Sequence, residues 1–277
     1  MATQFQIVSP KGIDEGFLTQ IRMWANEVFE RAEILSPSPY LSITIWKTLE
    51  ELQAFYREEK EALGIVTGEE ADFLATHDAW RGYPRIHFCQ ERLKGIPRAV
   101  IQGVIHHEIS HGLHHGTPEF YTFRFSSGLQ EIGRSYGLDL SLIQQYVYFL
   151  SVAIKDREVV QWLAVKGLGF SQRALLEHII SDTEEEYRIW QVVCGSPPLR
   201  KIALASFLKT LLPIEAMISA GIKNAQTLRN QWNEAYGWLT EAERESLSRF
   251  AICTMNHEGK PFQERLERAA LQLITQY

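Results

Sequence analysis

The segment Val104-Ile105-His106-His107-Glu108-Ile109-Ser110-His111 constrains the chain more than any other. Ile101, Val104, Ile105, Ile109 and Leu113 recur at helical spacing, so the segment reads as an amphipathic, enclosed helix. Residues four apart on a helix point the same way, and His107 and His111 can bring two imidazole nitrogens to one metal ion. Any fold the chain adopts must leave room for that ion on one face of the helix. Glu108, next to the first histidine, stands where it can take a proton from a water activated by the metal. The alternative is a core helix whose histidines merely hydrogen-bond. Unpaired buried imidazoles are costly, which weighs against it.

The chain of 277 residues, 45% hydrophobic, can bury a substantial core. Its formal charge of −6, with no Lys/Arg block, gives no electrostatic case for nucleic acid or an anionic membrane. The N-terminus lacks the basic start and apolar stretch of a secretory signal, and no segment approaches the length of a membrane span, so a cytoplasmic protein is expected. Cys89, Cys194 and Cys253 are far apart and odd in number, which fits reduced, mostly buried thiols better than disulfides or a thiolate zinc site. Oligomeric state is not legible.

Mixed structure gives way to continuous helix along the chain. Phe17, Ile21, Trp24 and Val28 mark a helix from about Asp14 to Ile34, broken by Ser36-Pro37-Ser38-Pro39. Tyr40 to Trp46 alternates as a strand, and Thr48 with Glu51 forms a capping box for a helix through Leu63. Asp72 to His77 and Arg85 to Cys89 read as a strand pair whose edge could accept an extended peptide. Pro97 starts the metal helix, and Gly116 stops it. Thr117-Pro118-Glu119 opens a helix to about Ser135, and another runs from Asp139 to Lys166. Ser171 caps one through Val193, and its Asp182–Glu186 acidic cluster reads as a solvated face. Four more helical stretches follow Pro198, with a kink at Pro213 and a capping box at Thr240 and Glu243. Pro261 opens a terminal helix.

A catalytic zinc takes three protein ligands and keeps an open position. His114 shares the face of His107 and His111, but three ligands along one straight helix would span ~10 Å. His115, beside Gly116, could swing round more easily, and both could equally be histidines suited to a helix end. Glu158, in the apolar stripe of Ile143, Val147, Leu150, Ile154 and Val165, must be metal-bound or salt-bridged to an arginine. Asp156, on the opposite and also apolar face, would orient a ligand histidine. His77 and His87, lone histidines on short strands, read as structural. Tyr121, Tyr146, Tyr187 and His178 are candidates for stabilising an oxyanion.

His107-Glu108-Ile109-Ser110-His111, followed by a helix bearing Lys155-Asp156-Arg157-Glu158-Val159, resembles the gluzincin type of zincin metallopeptidase. The resemblance spans roughly residues 40 to 165 and is specific only at the five-residue motif. It implies peptide-bond hydrolysis on Zn2+, with His107, His111 and Glu158 as metal ligands, Glu108 as base, and a peptide or protein as substrate. His115-Gly116-Thr117-Pro118-Glu119-Phe120 is similar to the SprT-like zincins, where a third histidine precedes a Gly-Pro-Glu-Phe run that Thr117 interrupts here. The metzincin pattern fails, since its glycine position holds His114 and its third-histidine position holds Thr117. The expected fold is α+β, predominantly helical: a zincin-like core with a small, mostly antiparallel sheet before the metal helix, then helices. Residues 1–195 are expected to form the metallopeptidase domain and 196–277 a helical extension. Two other functions fit the same residues, a non-catalytic zinc-stabilised binding module and a hydrolase of a non-peptide amide.

Overall fold

The computed structural model describes residues 4–9, 12–32, 40–65, 74–254 and 260–276. The expected break at Ser36–Pro39, the start of the first paired strand at Asp72 and Phe73, and His257 lie outside them. The chain divides into two compact units, Met1–Tyr121 and Thr122–Tyr277. Residue 195, the boundary expected from sequence, falls within the second.

The first unit is α+β. It runs β1 (Gln4–Val8), α1 (Glu15–Arg31), β2 (Tyr40–Trp46), α2 (Leu49–Leu63), β3 (Ala75–Asp78), β4 (Arg85–Cys89), α3 (Gln90–Leu93) and α4 (Arg98–His114), then a 3-10 turn at Pro118–Phe120. The sheet order is β1-β2-β4-β3. Both β1 with β2 and β2 with β4 pair parallel, and only β3 with β4 pairs antiparallel. The sheet is therefore mixed rather than mostly antiparallel. Both parallel pairs are joined by crossovers that contain a helix, as parallel neighbours require: β1, a strand the sequence reading did not include, returns to β2 through α1, and α2 lies in the connection from β2 to β4.

Register sorts the side chains. Ile43 partners Ile86, Ile45 partners Phe88, and His77 partners Ile86, so these residues share one face. Helix α4 lies on that face. A Cβ at Gly112 would collide with Leu41 and come within 3.5 Å of Ile86, so glycine permits the close approach. Arg85, His87 and Asp78 alternate to the other face, where α2 contributes Leu52, Tyr56 and Glu59. Helix α2 carries the expected capping box at Thr48 and Glu51 and ends at left-handed Gly64. Asp14 caps α1, which packs beside α4 through a face of Ile21, Trp24 and Val28.

The second unit is all helix: α5 (Ser127–Ser135), α6 (Leu140–Val165), α7 (Gly169–Ile180), α8 (Glu184–Val193), α9 (Pro197–Ser219), α10 (Ala225–Ala235), α11 (Glu241–Thr254) and α12 (Phe262–Gln276). Its centre is the packing of α6 against α9. Three expectations are corrected. The helix expected from Thr117 is a short 3-10 turn, because Ser126 Oγ accepts the N–H of Leu129 and starts α5 afresh. The helix expected over Ser171–Val193 is two helices. Ser171 lies inside α7, bonded to Leu168 O, while Glu184, Glu185 and Glu186 fill the first turn of α8, where acidic side chains suit the positive end of the dipole. Third, α9 runs through Pro213 as one helix. By itself it is long and apolar enough to cross a membrane, contrary to the reading that no segment approaches that length, and 78% of that stretch is buried.

Candidate metal centre

The first unit brings five of the chain's imidazoles and one carboxylate into a connected group on α4, β3 and the turn after α4. Consecutive histidines diverge because successive helix positions are rotated by about 100°. His106 is fully buried toward α1, its Nε2 3.2 Å from Glu27 Oε2, and burial holds its pKa down at about 4. His107 and His111 share a face, one turn apart, with their Nε2 atoms 2.9 Å apart.

On its other side, His111 Nδ1 lies 3.0 Å from Nδ1 of His115, itself 1% exposed. His115 therefore meets the ring nitrogen of His111 that faces away from His107. His114 adjoins His115, ring centroids 6.2 Å apart.

Glu108 is next to β3. His77 Nδ1–H donates to Glu108 Oε2 at 2.6 Å, and its ring stacks on that of His111 at 4.0 Å and 12°. His77 is the site residue that sequence reasoning assigned to structure. Its strand pattern shows only four residues, and the register with Ile86 is what turns it toward α4. His87 does point the other way. Its Nδ1 accepts Trp46 Nε1–H at 3.0 Å among Phe55 and Tyr56.

Of the tyrosines singled out from sequence, Tyr121 stands edge-on to His77 at 6.0 Å. Burial, with Asp78 and Glu108 adding, pushes its pKa well above the usual phenol value, so it is a neutral O–H donor. Tyr146 instead donates to the Ala270 carbonyl, and Tyr187 accepts Gln191 Nε2–H on the exposed side of α8. His178 sits in the last turn of α7.

Helix α6 carries Glu158, expected as a ligand, and Asp156, expected to orient a ligand histidine. Glu158 forms an ion pair with Arg265 of α12. Within the first unit, His107 and His111 offer two imidazole nitrogens on one helix face that could hold a metal ion. No protein-family model, curated protein or solved structure matches this chain.

Proposed function

We propose that the chain is a zinc-dependent metallopeptidase of the zincin type, with His107 and His111 as ligands and Glu108 as the general base. The observation that carries this reading is the convergence of His107 Nε2 and His111 Nε2 beside Glu108 on one helix. A catalytic zinc takes one more protein ligand besides two imidazoles and keeps a fourth position open, and the sequence offers the α6 acids Glu158 and Asp156 for that third place. Two bonds of 2.0–2.1 Å at a tetrahedral angle need nitrogens about 3.3 Å apart, a shift of a few tenths of an ångström from the observed pair.

Bound zinc supplies Lewis acidity, polarising the scissile carbonyl and lowering the pKa of water. The chain's own groups then handle the proton. Oε2 of Glu108 is engaged by His77, so Oε1 takes the proton as the water oxygen bonds to the carbonyl carbon. That proton goes to the leaving amine as the C–N bond breaks. Tyr121, neutral and beside His77, is the phenol nearest this chemistry for hydrogen-bonding the developing oxyanion. Of the cysteines expected to be mostly buried, Cys89 is, whereas Cys194 and Cys253 are exposed because they lie on the outer faces of their helices' ends.

Zinc-loaded protein incubated with a diverse peptide library should produce cleavage products, and Glu108→Ala should abolish them while zinc stays bound. Zinc binding without turnover in the wild type would replace the enzyme reading with a zinc-stabilised binding module. Turnover of a non-peptide amide alone would move the substrate class.

A further inference from the structure

We infer that His115 is a positioning residue that fixes His111 in its Nδ1–H tautomer and so keeps the Nε2 lone pair of His111 available to a metal. The inference rests on the proposed metal site but adds a residue outside its ligand set. His111 is flanked by an imidazole at each ring nitrogen, His107 at Nε2 and His115 at Nδ1. A neutral imidazole has one N–H and one lone pair, so only two arrangements satisfy the His111–His115 contact. If His115 donates, His111 carries its proton on Nε2 and cannot bind a metal there. If His111 donates from Nδ1 to Nδ1 of His115, its Nε2 is bare and shares the helix face with Nε2 of His107.

The backbone holds His115 in place for that role. Its N–H donates to His111 O at 2.7 Å, ending α4. A Cβ on the following residue, Gly116, would strike Gly112 O and sit 2.8 Å from Pro84, so the chain leaves the helix through a gap that only glycine fits. His115 is thereby buried against Phe120, ring centroids 4.9 Å apart, with Nδ1 aimed at His111. A fixed partner on the second nitrogen sets the orientation and basicity of a ligating histidine.

The test is zinc affinity by chelator competition in wild type, His115→Leu and His115→Asn. The leucine removes the acceptor, whereas the asparagine amide oxygen takes the place of Nδ1. We expect the leucine variant to bind zinc about 10- to 100-fold more weakly and the asparagine variant to stay within about threefold of wild type. Long-range 1H–15N NMR of the zinc-loaded wild type should show the His111 proton on Nδ1, a readout independent of any variant's folding. Equal affinity in all three proteins, equal weakening in both variants, or an unprotonated His111 Nδ1 would overturn the inference while leaving the metal site standing. A wild type that binds no zinc would overturn the site itself.

Discussion

Replacing Arg85 by methionine should destabilise the first unit and disarm Glu108 together. Arg85 is buried on the α2 face of the sheet between two buried acids. Its Nε donates to Asp78 Oδ1 at 2.8 Å, its Nη1 to Glu59 Oε1 at 2.7 Å, and its Nη2 engages both carboxylates. Although burial alone would raise them, hydrogen bonds and charge from this guanidinium, with His87 acting on Asp78 and Arg81 on Glu59, hold both acids below their ordinary values of 3.8 and 4.5. Methionine fills similar volume and leaves two buried carboxylates without their shared cation, a loss of about 3–5 kcal/mol. The sign with pH follows. In wild type the depressed acids add stability that is present above about pH 4.5 and fades as pH falls through their folded values. In Arg85→Met, burial raises the same acids, so the deficit is largest at pH 7 and shrinks toward pH 4.5 as they protonate. Amide exchange in β2 and β4 reports the first unit separately. A deficit under about 1 kcal/mol, or one that does not shrink with acid, would refute the reasoning. Asp78 ends β3, so its release also loosens His77, the donor to Glu108.

Other outcomes follow from the same geometry. Glu158→Ala should cost about 1 kcal/mol of stability from the part-buried Arg265 pair. Metal analysis of Glu158→Ala beside Asp156→Ala assigns the third ligand, since only the variant that lacks it should lose stoichiometric zinc, and retention by both would remove α6 from the site. His77→Phe keeps the ring against His111 but removes the N–H to Glu108. Since a hydrogen bond to a charged group contributes about 1.5–3 kcal/mol, kcat should fall about 10- to 100-fold with KM and zinc content unchanged. Steady-state kinetics with unaltered kcat would remove His77 from the site.

Features set by neighbouring residues could be read from the sequence. The Thr48–Glu51 box and the pairing of His107 with His111 each depend on a spacing of three or four residues. Features set by distant partners could not. Strand β4 is buried on both faces, which erases the alternation that would show its direction, and β1 acquires its meaning only beside β2. On α6 the same difficulty governs the third ligand. Asp156 and Glu158 are about 200° apart around the helix, and both faces carry apolar residues, so periodicity gives no preference between them. The ion-pair partner of Glu158, Arg265, lies more than a hundred residues further on. His77 was hidden for the same reason, since its neighbours on β3 say nothing of its register with Ile86.

The most direct test of the central claim is the zinc content of purified wild type and His107→Ala. A shared ion on His107 and His111 predicts one zinc per chain in the wild type and its loss in the variant. Stoichiometric zinc that persists unchanged in His107→Ala would contradict it.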